Sequence, residues 1–79
     1  MTGPDEDLLV DARGHHCPVP TLKLRRALEG AGGRVVRLLA DDPMARIDVP
    51  HFVREAGAEL VESTESDGVL TFRVRRTQV

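Results

Sequence analysis

The order of the apolar segments constrains the fold of this 79-residue chain more than any other feature. Four short apolar runs bounded by Gly, Pro or Asp are predicted to be strands, the second of them central: residues 7–13, 34–40, 58–63 and 69–75. Residues 18–31, between the first two runs, have helical spacing and are closed by glycines. A tight turn at residues 66–68 joins the last two strands into a hairpin.

The segment between the second and third strands contains two helix-start signals. Asp42 followed by Pro43 is typical of an N-cap and the first helical residue, and residues 48–50 (D-V-P) repeat that signal. Because proline interrupts an established helix, we expect a short helical turn, a break, and a main helix over about residues 50–56. Gly57 is expected to end that helix.

Parallel strands joined through helices, and followed by a hairpin, predict an α/β fold of order βαβαββ. We expect a mixed four-stranded sheet with two helices packed on one face. The chain has no Trp or Tyr and only two Phe, so a large ligand cavity is not expected. Alternation along the last strand puts Leu70, Phe72 and Val74 on the buried face. The core stripe of the first helix is predicted to be Pro20, Leu24, Ala27, Leu28 and Ala31.

The length of the chain is that of one domain. Residues 1–7 contain acidic and no basic side chains, and we expect a flexible acidic N-terminus there. Residues 8–76 are predicted to form the single domain, and residues 77–79 a short C-terminal tail.

Charge and cysteine content narrow the class of protein. The formal net charge is −2 and no Tyr or Trp is present to stack on bases, so direct nucleic-acid binding is not expected. No apolar run approaches the roughly 20 residues that span a bilayer, and the acidic start lacks the pattern of a secretion signal. Cys17 is the only cysteine and cannot form an internal disulfide. We therefore expect a cytoplasmic protein with a free thiol and no membrane association.

Residues 14–20 (G-H-H-C-P-V-P) are the one segment that the needs of the core do not explain. They lie where a strand passes into a helix, and such loops build functional sites in α/β sheets. With Pro18 as the first helical residue, Cys17 is the N-cap, and the positive end of the helix dipole favours its thiolate. The prolines lack an N–H, so of the first three helical residues only Val19 can donate to the sulfur. The alternative is a small buried cysteine.

Two histidines precede the cysteine. An imidazolium of His15 or His16 would favour the thiolate or relay a proton, and the alternative is two exposed loop residues. Neighbouring side chains of an extended stretch point to opposite sides, so at most one of them faces the sulfur. A metal site is not expected, because structural zinc takes four ligands and only His51 remains to complete a set. No cofactor is expected.

The first helix also presents a candidate docking surface. Val19 and Leu22 fall opposite the core stripe, among the basic side chains of Lys23 and Arg26. Apolar side chains beside a thiol, surrounded by basic ones, are suited to docking a partner protein. Single apolar residues are also ordinary on protein surfaces, so both interpretations stay open.

Residues 11–20 (D-A-R-G-H-H-C-P-V-P) resemble the D-x-x-G-x-x-C-P-x-P signature of the TusA (SirA-like) sulfur-carrier family. Residues 42–43 resemble the D-P segment after that family's second strand, and residues 48–50 its D-[IV]-P turn before the second helix. Chain length and element order also agree, so the resemblance covers nearly the whole chain. His15 and His16 depart from the usual family residues, which bears on the identity of the partner more than on the carrier role.

The resemblance implies a two-layer α/β sandwich that carries sulfur. Cys17 would accept sulfane sulfur as a persulfide from a donor, either a cysteine desulfurase or a rhodanese-like protein, and pass it to a downstream acceptor protein. Relays of this family serve tRNA thiolation, molybdenum-cofactor maturation or sulfur oxidation. Pro18 and Pro20 carry over as the scaffold of the cysteine, and Asp11 and Gly14 as structural positions.

Two other classes of function are consistent with parts of the sequence. A non-catalytic regulatory or protein-binding module would keep Cys17 structural or redox-sensing, with a slow thiol. A nucleic-acid-binding module would use the Arg and Lys side chains, and its affinity would fall steeply with salt. Reaction of Cys17 with a sulfane-sulfur donor distinguishes the carrier from both.

Overall fold

The chain folds in the predicted order βαβαββ. The structure is a computed structural model that describes residues 7–16 and 19–76. Its elements are β1 (Leu8–Asp11), α1 (Val19–Gly30), β2 (Val35–Ala40), α2 (Ala45–Glu55), β3 (Ala58–Ser66) and β4 (Val69–Arg76). Within those described residues, no helix is long and apolar enough to cross a membrane.

The four strands form one mixed sheet in the spatial order β1-β2-β4-β3. β1 and β2 are parallel, whereas β4 pairs antiparallel with both β2 and β3. The central position predicted for the second strand is therefore confirmed. Because β1 and β2 run in the same direction, the loops that follow them leave the sheet at the same edge.

One hydrophobic core lies between the sheet and the two helices. Leu70, Phe72 and Val74 of β4 are 4%, 1% and 0% exposed, which confirms the alternation predicted for the last strand. Both helices contribute to this core, as expected for two helices on one face. The predicted stripe of the first helix is also buried or partly buried in it: Pro20, Leu24, Ala27, Leu28 and Ala31.

The second helix differs from the prediction. α2 is one continuous helix that contains Pro50, so the predicted break and the predicted start near residue 50 are wrong. Ala45, Val49 and Val53 are spaced four residues apart on both sides of the proline, and all three are buried. Burying the two valines contributes roughly 3–6 kcal/mol, which offsets the roughly 3 kcal/mol that an internal proline costs. Packing on the sheet therefore overrides the local break signal.

Asp42 retains part of its predicted capping role. Its Oδ1 accepts a hydrogen bond from the Met44 N–H at 3.2 Å, and its carbonyl oxygen accepts one from the Ala45 N–H at 2.9 Å. The residue that directly precedes α2 is Met44, which makes no side-chain cap bond. Asp42 thus organises the turn that leads into the helix and lies two residues before the N-cap, Met44.

The predicted hairpin is confirmed, with a longer first strand. β3 continues to Ser66, three residues beyond the predicted end, and pairs there with Val69. The two residues between the strands are Asp67 and Gly68, with φ of 53° and 80°. Positive φ at both central positions is the geometry of the type I′ turn, whose twist suits a two-residue hairpin.

The sheet face opposite the helices carries a network of ion pairs. Arg37 and Arg73 lie directly opposite each other on β2 and β4, a like-charge pairing that by itself destabilises a sheet. The Asp7 carboxylate accepts a hydrogen bond from Arg73 Nε at 2.9 Å and lies 3.8 Å from Arg37 Nε. Arg73 also donates to Glu62 at 3.1 Å. The hydrogen bond to Asp7, followed by that to Glu62, raises the pKa of Arg73.

Candidate functional site

The candidate site lies at the sheet edge where the parallel strands β1 and β2 end. Residues 12–16 follow β1 and residues 41–44 follow β2, so the two loops are neighbours. The Ala12 N–H donates to the Leu39 carbonyl oxygen at 2.8 Å, which extends the pairing of β1 with β2 by one residue. Loops at the carboxyl ends of strands are the usual place for sites in α/β sheets.

The loop after β1 begins with a tight turn. The His15 N–H donates to the Ala12 carbonyl oxygen at 3.3 Å, and Gly14, the third residue of the turn, has φ of 85°. A positive φ at this position is that of a type II turn, which favours glycine. A Cβ at Gly14 would meet nothing within 4 Å, so the backbone angle and not space requires the glycine. The turn also ends the strand at Asp11, two residues before the predicted end.

Asp41 connects the two loops. The Gly14 N–H donates to its carboxylate, at 2.9 Å from Oδ1 and 3.1 Å from Oδ2. The two residues are separated by 27 positions in the chain and belong to different strand ends. No role is predicted for Asp41 from the sequence. Its position directly after the predicted central strand was the available signal, but the neighbouring loop could be named only once the strand order was known.

Asp11 and Arg13 form an ion pair at the base of the turn. Arg13 donates from Nε to Asp11 Oδ1 and from Nη2 to Asp11 Oδ2, both at 2.9 Å, and its backbone N–H donates to Oδ1 at 3.1 Å. The side-chain hydrogen bonds from Arg13 lower the pKa of Asp11 from 3.8 to about 2. Asp11, predicted as a structural residue, thus has a carboxylate that stays ionised far into the acid range.

The two histidines are exposed, and His16 lies near a carboxylate. His16 Nδ1 is 3.8 Å from Asp42 Oδ2, with the His16 side chain 93% and the Asp42 side chain 11% exposed. An ion pair with so exposed a histidine contributes little to stability. The structure therefore brings His16 to the loop after β2, while His15 is exposed in the turn. A role of either histidine in the chemistry of Cys17 stays a prediction.

Cys17 and Pro18 lie outside the described residues, and with them the predicted N-cap. α1 is described from Val19, whose N–H donates to the His16 carbonyl oxygen at 2.9 Å. The expectation that this N–H is available to the sulfur is therefore wrong, because the backbone turn that starts the helix already uses it. Pro20, the second predicted scaffold residue, is buried in the core.

The predicted docking residues line one groove. Val19 is half-buried, Leu22 is 55% exposed, and Lys23 and Arg26 are exposed. All four border a shallow groove of about 760 Å³ between α1 and the edge strand β1, where Val10 contributes to the floor. The helix thus presents apolar and basic side chains together, two residues after Cys17 in the chain.

Two exposed apolar residues, one directly before α2 and one in its first turn, are not predicted from the sequence. Met44 is 50% exposed and Ile47 is 64% exposed, at the start of α2. The loop that leads into α2 leaves the sheet at the same end as the loop that leads into α1. An apolar residue on the outer face of a predicted helix is the available signal, and it was hidden because only a short helical turn and a break were predicted before residue 50.

The described residues contain no group of three or more His, Cys, Asp or Glu side chains placed to hold a metal ion. The fold and the site together define a small two-layer α/β protein whose candidate site is formed by the loops that follow the parallel strands β1 and β2. The family model described as Sulfurtransferase TusA matches residues 9–76. The chain therefore belongs to the TusA family, as its motifs predicted.

Relatives and a solved structure agree with this assignment. A putative sulfur carrier protein of Archaeoglobus fulgidus is 44% identical over 68 residues, which cover 84% of this chain and 88% of the relative. The sulfur carrier protein TusA of Allochromatium vinosum is 34% identical over 74 residues, covering 92% and 97%. The crystal structure of a SirA-like protein from Desulfitobacterium hafniense matches with a TM-score of 0.79 at 28% identity, covering 90% of this chain and 99% of that one. The predicted fold and the predicted class of sulfur carrier are confirmed.

Proposed function

We propose that Cys17 carries the sulfur as a persulfide and hands it to an acceptor protein. The observation that supports this proposal is the position of the cysteine in the chain. It lies between a turn anchored at Gly14 and the start of α1, beside the exposed His15 and His16. A carrier needs its sulfur on an accessible edge, because two different proteins must reach it in turn.

The chemistry requires no cofactor and no external oxidant. The Cys17 thiolate attacks the terminal sulfur of a donor persulfide, so a new S–S bond forms while the donor's S–S bond breaks and the donor cysteine leaves as a thiolate. In the second step an acceptor thiolate attacks the terminal sulfur on Cys17, and Cys17 leaves as a thiolate. Each step exchanges one S–S bond for another, so no net oxidation or reduction occurs.

The start of α1 supports the thiolate electrostatically. Cys17 precedes Val19, the first described residue of this 12-residue helix, and the partial positive charge at a helix start favours an anion there. The Val19 N–H is already bonded to His16, so we ascribe the stabilisation to the dipole and not to that N–H. We propose His16 as a supporting residue of Cys17. A protonated imidazole there would favour the thiolate, and it would offset the negative charge of Asp42 in the loop after β2.

A sulfur carrier works with a sulfur donor and a sulfur acceptor. We propose that the donor is a cysteine desulfurase or a rhodanese-like protein, and that the acceptor belongs to a relay for tRNA thiolation, molybdenum-cofactor maturation or sulfur oxidation. The groove along α1 supports docking of a partner through Val19 and Leu22. Lys23 and Arg26 favour an acidic surface on that partner.

Sulfur uptake on the reduced protein tests the proposed function. Incubation with a cysteine desulfurase and L-cysteine, or with a rhodanese and thiosulfate, is expected to add one sulfur atom to Cys17. Intact mass spectrometry measures the adduct, and a thiol reductant is expected to remove it. No adduct from any of these donors, together with slow alkylation of Cys17, would contradict the proposal and favour a binding module.

The docking proposal predicts that Leu22→Gln weakens transfer from the donor protein. Loss of an apolar contact at the centre of an interface costs about 1 kcal/mol or more, so the KM for the donor protein should rise roughly fivefold or more. Steady-state sulfur transfer at varied donor concentration measures it. Leu9→Gln is the matched control, because Leu9 is 59% exposed against 55% for Leu22 but lies on the opposite face of the sheet. Equal KM values for the two variants would place the docking surface elsewhere.

A further inference from the structure

We propose that Asp41 is a positioning residue for the loop that carries Cys17, an inference that rests on the proposed carrier function. Both oxygens of its carboxylate lie within hydrogen-bonding distance of the Gly14 N–H, at 2.9 and 3.1 Å. Gly14 precedes Cys17 by three residues. The carboxylate therefore holds the start of the reactive loop against the end of β2.

Ala12 still bonds to Leu39 of β2, but beyond Ala12 the other described hydrogen bonds of this loop are local. The Arg13 N–H bonds to Asp11, the His15 N–H to Ala12, and the Val19 N–H to His16. These bonds shape the turn and the helix start, but they do not place the loop relative to the rest of the sheet. Among the hydrogen bonds described between Arg13 and the start of α1, the bond to Asp41 is the one that reaches a distant part of the chain.

The anchor itself is firmly placed. Asp41 directly follows Ala40, which is fully buried and pairs with Leu70 on β4. β2 pairs on both sides, with β1 and β4, so its end moves less freely than an edge strand. An ionised acceptor makes a shorter and stronger hydrogen bond than a neutral one. Asp41 thus restricts the movement of the loop by bonding it to the end of an inner strand.

Arg13 reduces the repulsion between the carboxylates of Asp41 and Asp11. Its hydrogen bond to Asp11, and then the nearby charges of Asp11 and Asp41, raise the pKa of Arg13. One cation therefore faces two carboxylates at the base of the turn. Arg13 thus offsets part of the negative charge near Asp41, and the described contact of Asp41 itself is the hydrogen bond from the Gly14 N–H.

This role has a consequence for sulfur transfer between proteins. A docked donor must meet the sulfur of Cys17 in a defined place, and a freely moving loop would have to be ordered at each encounter. A small alkylating reagent reaches a thiolate in many loop conformations and does not need that order. Loss of the Asp41 bond should therefore slow transfer from a protein and leave alkylation nearly unchanged.

Three variants test this role: Asp41→Ala, Asp41→Asn and Asp48→Ala. Asp41→Ala removes the acceptor, whereas Asp41→Asn removes the charge but keeps an oxygen that can accept from Gly14. Asp48→Ala is the matched control, since it removes a carboxylate from α2. For each variant we would measure the rate of sulfur loading from the donor that loads the wild-type protein, the rate of alkylation by iodoacetamide, and amide exchange at Gly14 by NMR.

Asp41→Ala is expected to load roughly tenfold more slowly, the factor that corresponds to about 1.4 kcal/mol. Its Gly14 amide should exchange faster, with alkylation nearly unchanged. Asp41→Asn should recover most of the loading rate, and Asp48→Ala should match the wild type. Wild-type loading in Asp41→Ala, or an equal loss in Asp41→Asn, would overturn the inference. Absence of loading in the wild-type protein would count against the carrier function instead.

Discussion

Cys17→Ser is expected to abolish sulfur uptake completely while the domain stays folded. A serine hydroxyl is not ionised near neutral pH and cannot form a persulfide, and the chain has no second cysteine to replace the lost thiol. The substitution exchanges one atom of similar size, and the neighbouring His15 and His16 are exposed, so little packing is at stake. Intact mass after incubation with the donor system measures the uptake, and a thermal melt followed by circular dichroism measures the fold.

A relocated thiol distinguishes the site from the mere presence of cysteine. Ser63 is exposed on β3, away from the edge where the loops after β1 and β2 meet. The double variant Cys17→Ser, Ser63→Cys therefore keeps one accessible thiol per molecule. It should react with iodoacetamide but take no sulfur from a donor protein. Uptake by Cys17→Ser, or full uptake by the relocated thiol, would show that the loop before α1 is not the carrier site.

Phe72→Ala is expected to cost about 3–5 kcal/mol of the free energy of unfolding. Phe72 is 1% exposed and lies on β4 between Leu38 of β2 and Ser63 of β3, so the loss leaves a cavity in the centre of the core. Small domains are stable by about 5–15 kcal/mol in total, so a substantial part of the stability is removed. Urea denaturation followed by circular dichroism is the suitable measurement, because the chain has no Trp or Tyr to report by fluorescence.

Val61→Ala is the control for this prediction. Val61 is 41% exposed on the edge strand β3, at the irregularity between Leu60 and Glu62. Removing its side chain should change the free energy of unfolding by about 0.5 kcal/mol or less. A denaturation midpoint of Phe72→Ala close to that of Val61→Ala would mean that the strand face assigned to Phe72 is wrong.

Strand alternation and turn chemistry were reliable guides because both are set by neighbours in the chain. Leu70 and Phe72 face the core as their period of two requires, and the Asp67-Gly68 pair adopts the positive φ angles that a two-residue hairpin needs. The break predicted at Pro50 was wrong because the burial of Val49 and Val53 together offsets the local cost of the proline. A prediction from local sequence fails where tertiary packing contributes more free energy than the local conformational preference.

The site was predictable only in part. The sequence places Gly14 and Cys17 between a strand and a helix, but the turn with positive φ at Gly14 was not predicted. It says nothing of Asp41, because the partner of that carboxylate lies 27 residues away and is reached only when β1 and β2 pair in parallel. The availability of the Val19 N–H was misjudged for a related reason, since the backbone turn of the helix start takes it first.

By itself the sequence determined the order of the elements, the buried faces of α1 and β4, and the family, because these depend on spacing and residue type along the chain. The tertiary structure decided that α2 continues through Pro50, that Met44 and Ile47 are exposed at the start of that helix, and that Asp41 holds Gly14. The physical reason is common to all three. Each depends on packing or pairing between segments distant in sequence, and such contacts exist only once the sheet has formed.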